Sequence, residues 1–149
     1  MTTVNSIVMN APLDRVFETA ADLSRWPEIL PHYRWVVYLE KSPSRNVVRM
    51  AAKRGWIPVS WTSEQVIDRK NRVVRFHHLK SFTRGMDVVW TFEPDKDSVQ
   101  VQIRHDLTLD IPVVGGFIAH QIIGRFFVHY IAGRTLKHMK LYVEGARGK

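Results

Sequence analysis

Residues 84–109 read RGMDVVWTFEPDKDSVQVQIRHDLTL. Met86, Val88, Trp90 and Phe92 fall on every second position. After the polar turn Pro94-Asp95-Lys96-Asp97 the alternation resumes at Val99, Val101, Ile103, His105 and Leu107. Successive side chains of a strand point to opposite faces, so each set is the buried face of one strand. A connection this short joins antiparallel neighbours. Ile111-Pro112 and Gly115-Gly116 then break the pattern, and apolar residues return at helical spacing from Phe117 to about Glu144.

Working outward, the same turn-and-strand grammar covers most of the chain. Thr3 to Met9 alternates as a first strand. Asn10-Ala11-Pro12 opens a helix, with the proline in the first turn where its missing N–H is harmless. Leu13, Val16, Phe17 and Ala20 follow at helical spacing. A second short helix starts at Ser24 and ends before Pro31. Strands are predicted at about 32–41, 45–53, 57–68, 72–80, 84–94 and 98–109, joined by turns such as Lys41-Ser42-Pro43-Ser44 and Asp68-Arg69-Lys70-Asn71. Strands segregated from helices indicate α+β. The expected architecture is a seven-stranded curved antiparallel sheet wrapped around a long C-terminal helix, with two short helices after the first strand. The 149 residues suit a single domain spanning 1–149.

Composition narrows the chemistry. There is no cysteine, which removes disulfides, thiolate metal sites and a cysteine nucleophile. The N-terminus lacks a signal-peptide pattern and no stretch reaches the roughly 18 apolar residues of a membrane span, so a cytoplasmic location is expected. The formal net charge is +8. That favours an anionic partner, such as an acidic carrier protein or an anionic membrane surface. The basic residues are scattered, no nucleic-acid motif is present, and no nucleic-acid partner is expected. No metal or cofactor motif is found: there is no HExxH, no GxSxG and no phosphate loop, and His77 and His78 point to opposite faces of a strand. The oligomeric state is left open between monomer and homodimer.

Strand parity assigns an inward set that contains Tyr33, Trp35, Trp61, Ser63, Gln65, His78, Arg84, Trp90 and His105. On the long helix, Phe117, Val128, Ile131, Ala132, Leu136, Met139 and Val143 share one arc with Gln121 and Arg125. A dry core would have to satisfy each of these polar groups. A cavity with apolar walls and a few convergent polar groups accounts for them, and that is the composition of a small-molecule site. Trp35, Trp61, Trp90 and Tyr33 offer flat faces for stacking. The expected ligand set is therefore Trp35, Trp61, His78, Arg84, Trp90, His105, Gln121 and Arg125. Ile111, Val113, Val114, Ile122, Ile123, Phe126 and Phe127 form a candidate apolar patch beside it.

Asn5-Ser6-Ile7-Val8 leading into Asn10-Ala11-Pro12, then Val16-Phe17, Asp22-Leu23 and Trp26-Pro27-Glu28, resembles the polyketide cyclase/dehydrase branch of the START-like (SRPBCC, helix-grip) superfamily. The resemblance implies a helix-grip fold and a hydrophobic, aromatic or polyketide-like ligand. It also implies aldol cyclisation with dehydration, or, in a different class, non-enzymatic lipid or quinone carriage with docking on anionic membrane. The aromatase/cyclases of the branch have an inward Tyr after the second short helix, and an inward Ser and Arg two apart on a central strand. Tyr33 matches the first and Ser63 the second, while Gln65 stands at the Arg position. Tyr33, Ser63 and Gln65 are the catalytic candidates on that resemblance. An Arg could stabilise an enolate by charge, whereas Gln supplies only a neutral hydrogen bond. Gln65, Ser63, Tyr33 and His78 are expected to converge, with Arg125 facing them, on one ligand oxygen or one water.

Overall fold

A computed structural model describes residues 2–80, 84–106 and 128–145. Seven strands form one antiparallel sheet: β1 (Thr2–Met9), β2 (Tyr33–Glu40), β3 (Arg45–Arg54), β4 (Ile57–Asp68), β5 (Val73–Lys80), β6 (Asp87–Asp95) and β7 (Ser98–Asp106). Their order is β1-β7-β6-β5-β4-β3-β2, so β2 to β7 run as a meander and β1 closes the far side against β7. Two short helices, α1 (Leu13–Ala21) and α2 (Trp26–Ile29), separated by a 3-10 turn at Leu23–Arg25, link β1 to β2. The described part of the last helix, α3, is His129–Gly145.

The alternation read in the sequence sets the core. Val74, Phe76, Val88, Trp90, Phe92, Val99, Val101 and Ile103 are all buried on the sheet face that meets α3. Val128, Ile131, Ala132, Leu136, Met139 and Val143 are buried on the helix, as its spacing requires. Polar ties fix α3 across the sheet end. Asn5 Nδ2 donates to the His129 carbonyl at 3.4 Å, Lys140 Nζ donates to the Val8 carbonyl at 2.9 Å, and Glu144 Oε2 accepts from the Asn10 N–H at 2.8 Å. The short helices close the opposite side: Trp26 meets Tyr33 edge-on at 5.1 Å between ring centroids and Trp90 at 5.6 Å.

Two sequence expectations are corrected by the backbone. Trp35 does not share the inward face with Tyr33. The register between β2 and β3 shifts between Tyr33 and Trp35, pairing Tyr33 with Ala52 but Trp35 with Ala51. One extra residue moves every later side chain of the strand to the other face. Val36 and Tyr38 therefore turn inward, while Trp35, Val37 and Leu39 are exposed, Trp35 at 36% and stacked under the Arg49 guanidinium. Arg84 also leaves the inward set. It lies exposed in the turn ahead of β6, where Gly85 takes a positive φ of 89°, so strand parity does not reach back to it.

Candidate functional site

Between the sheet and α3 lies a cavity whose walls are mostly aromatic. Trp26 contributes from the short helices, Tyr33, Trp61, Phe76 and Trp90 from the sheet, and Ile131, Ala132 and Thr135 from α3. His78 and His105 are its two histidines. Alternation puts them there: Phe76 and His78 lie on one face of β5, and Ile103 and His105 on one face of β7. Val88 of β6 stands between them, paired with Phe76 on one side and His105 on the other.

The rings form a continuous surface. Tyr33 meets Trp61 edge-on at 6.0 Å, and Trp61 stacks on His78 at 5.8 Å with 14° between planes. Both cavity histidines are neutral at neutral pH. Burial is the main cause for His78, helped by His105 and His77, and lowers its pKa to about 3. Burial likewise holds His105 at about 4 against the opposing pull of Asp106. His105 Nδ1 is buried with no hydrogen-bond partner among the described residues. A neutral imidazole carries one N–H and one lone pair, so each ring can give one proton and accept one.

Of the predicted site residues, Tyr33, Trp61, His78, Trp90 and His105 meet at this cavity. Gln121, Arg125 and the apolar patch at 111–127 lie outside the described residues. Ser63 and Gln65 face inward as expected and are fully buried, yet neither lines the cavity. Gln65 Nε2 donates to the Ala21 carbonyl at 3.0 Å, and its Oε1 accepts from Asn46 Nδ2 at 2.8 Å. Asn46 Oδ1 in turn accepts from the Ser42 N–H at 2.8 Å. Ser63 Oγ lies 3.2 Å from the His77 carbonyl and 3.3 Å from the Glu64 carbonyl. The expected convergence of Gln65 and Ser63 with Tyr33 and His78 on one ligand atom is therefore corrected. Their polar atoms are occupied in tying β4 to its neighbours and to the end of α1.

The sequence reading missed His32 and Thr135. Thr135 is fully buried on α3 and lines the cavity. It falls on the same arc as Ile131 and Leu136, so a polar residue on a buried helical stripe was its available signal. His32 is buried beneath α3, with Nε2 2.9 Å from Thr135 Oγ1. It precedes β2, where alternation carries no information. Burial, and after it the nearby Arg134 and His138, lowers its pKa to about 4. Among the described residues no group of three His, Asp or Glu side chains could hold a metal ion.

Comparison with known proteins assigns this arrangement. The family described as polyketide cyclase / dehydrase and lipid transport matches residues 9–126. The chain belongs to the polyketide cyclase/dehydrase family. A Streptomyces halstedii protein provisionally named a polyketide cyclase is 33% identical over 103 residues, covering 65% of this chain and 92% of that one. A Streptomyces cyaneus protein with the same provisional name is 29% identical over 119 residues, covering 74% and 76%. The crystal structure of the Zhui aromatase/cyclase from Streptomyces sp. R1128 superimposes with a TM-score of 0.86 at 21% identity, covering 97% of this chain and 93% of that one. That likeness establishes the fold, an α+β helix-grip domain. Membership of this family implies hydrophobic ligand binding. No helix among the described residues is long and apolar enough to cross a membrane.

Proposed function

We propose that the chain holds an aromatic, polyketide-like molecule in the cavity and promotes aldol ring closure with loss of water. The observation that carries this reading is an aromatic-walled cavity that also contains two neutral histidines, His78 and His105. Flat rings at 5–6 Å spacing favour a flat, extended ligand over a flexible acyl chain. In the ring closure, an imidazole lone pair accepts a proton from the carbon between two ketones. That carbon attacks a ketone carbon elsewhere on the chain, and the ketone oxygen takes up a proton and becomes a hydroxyl. Loss of the hydroxyl with a neighbouring hydrogen releases water and leaves a carbon–carbon double bond. With values near 3 and 4 both imidazoles are unprotonated at neutral pH, the form a general base requires. Tyr33 orients the ligand from the β2 end of the sheet wall. The test is ring-closed, dehydrated product formed from a poly-ketone substrate, followed by mass spectrometry. Product formation lost in His78→Asn and in Tyr33→Phe supports the reading, and undiminished product in both removes it.

One surface feature favours a second reading, non-enzymatic carriage with docking on anionic membrane. The β3–β4 turn is built on Gly55, whose φ of 61° suits glycine, and it presents Trp56 at 88% exposure. Lys53 and Arg54 flank it, and the Arg54 guanidinium lies 4.7 Å from the Tyr130 ring centroid. An exposed tryptophan beside cations is the composition of an interfacial anchor. Salt-sensitive binding to vesicles rich in anionic lipid, weakened by Trp56→Ala, would support carriage. Absence of vesicle binding at low salt would exclude it.

A further inference from the structure

The two edges of the sheet are finished differently. β1 is covered: α3 is tied to Asn5, to Val8 and to Asn10 just beyond the strand. β2 is the other end of the strand order, and among the described residues the backbone of Arg34 to Glu40 pairs with β3 alone. An open edge carries a row of unspent N–H and C=O groups and is a template for another strand.

The outward side chains of this edge are apolar in the middle and charged at the ends. Trp35 is 36% exposed, Val37 49% and Leu39 52%. Arg34 precedes them and Glu40 follows, both exposed. Neither belongs to an ion pair among the described residues, whereas Arg45, Arg69, Arg72 and Arg104 all do. The strand is complementary to its own reverse. Turned about Val37, it sets Arg34 opposite Glu40, Trp35 opposite Leu39, and Val37 opposite the same residue of a second copy. Moving the axis to Val36 sets Arg34 opposite Tyr38, and moving it to Tyr38 sets Glu40 opposite Val36, so either shift loses the ion pairs. The backbone obeys the same symmetry. The β2–β3 register shifts between Tyr33 and Trp35 and again between Tyr38 and Glu40, which makes Arg34 and Leu39 the extra residues. About Val37 each irregularity meets the other one of the second copy. Two residues then oppose two, and no register is lost.

We propose that β2 is a homodimer interface, in which two copies pair their β2 edges antiparallel about a two-fold axis at Val37. The two sheets become one, with an Arg34–Glu40 ion pair at each end and Trp35 against Leu39 between. A two-fold contact makes every favourable pair twice. The outward side chains face away from the cavity, so the inference is independent of what the cavity holds. A single pair of strands buries little surface, and the expected dimer is weak and reversible.

Sedimentation velocity tests this over about a hundredfold concentration range reaching about 0.5 mM, where a weak interface is populated. Physiological salt screens the repulsion between two chains of formal charge +8. The wild type should pass reversibly from monomer to dimer. Glu40→Arg places like charges opposite each other at both ends and should raise the dissociation constant about tenfold or more. The exchange of both residues, Arg34→Glu with Glu40→Arg, should bring it back to within about threefold. The chain has no cysteine, so Val37→Cys reads the axis directly. Opposed residues of an antiparallel pair lie within disulfide reach. Mild oxidation should therefore cross-link Val37→Cys faster than Arg75→Cys, a change on exposed β5 surface. A wild type that stays monomeric throughout overturns the proposal. So does a dimer that Glu40→Arg leaves intact, or a double exchange no better than the single change. If a charge variant fails to fold by circular dichroism, Val37→Cys decides, and cross-linking no faster than in Arg75→Cys overturns the proposal.

Discussion

Gln65 Nε2 and the Ala21 carbonyl, 44 residues apart, are joined by a fully buried 3.0 Å hydrogen bond that pins the middle of β4 to the end of α1. With Asn46 on its other end, Gln65 is satisfied on both sides. Gln65→Leu would leave the Asn46 amide and the Ala21 carbonyl buried and unpaired, at roughly 1–3 kcal/mol each. Thermal unfolding should shift down by several degrees, since a domain of this size moves about 2–4 °C per kcal/mol. Affinity for an aromatic ligand should change little. Unchanged melting with weakened binding would return Gln65 to the ligand site.

Acid should unfold the protein earlier than its surface charge suggests. His32, His78 and His105 have pKa values lowered from 6.5 to about 4, 3 and 4. Above 6.5 all three are neutral in both folded and unfolded chains, and their contribution to stability is fully present. As pH falls from 6.5 toward 4, the unfolded chain takes up protons that the folded one refuses, so stability falls by up to about 1.4 kcal/mol per pH unit per ring. Urea midpoints measured across this range should drop steeply. The double variant His78→Asn, His105→Asn should show a visibly flatter profile, and an equally steep one would place the acid sensitivity elsewhere.

The tryptophans should separate by role. Trp90 is buried against Trp26 and Phe92, and Trp90→Ala should cost about 3–5 kcal/mol. Trp35 is on the outer face with the Arg49 guanidinium over its ring, so Trp35→Ala should cost about 1 kcal/mol or less. Chemical denaturation of both variants checks this. A large loss for Trp35→Ala would contradict the β2 register shift that turns it outward.

How far the sequence could be read follows from these cases. Alternation was legible where a strand ran without irregularity: β5, β6 and β7 placed Phe76, His78, Trp90, Ile103 and His105 as expected. It failed at the β2 bulge, because one extra residue leaves no mark in the hydrophobic pattern yet inverts Trp35. It also failed for Arg84, which lies beyond the strand end. For Gln65 and Ser63 the face was right and the role was not. Parity says that a polar side chain points inward, and only packing says whether it meets a cavity or a backbone carbonyl. His32 was out of reach, since its partner Thr135 lies 103 residues away and no local pattern joins them.

The central claim is that the space between the sheet and α3 is the ligand site. Its most direct test is quenching of tryptophan emission by a flat polycyclic aromatic compound, with Trp26, Trp61 and Trp90 in the cavity wall as reporters. Wild-type protein should show saturable one-to-one quenching. Ala132→Phe, which fills the cavity from α3 where Ala132 lines it, should abolish the quenching while the circular dichroism of the sheet is retained. Equal quenching by a well-folded Ala132→Phe protein would place the ligand elsewhere and contradict the account.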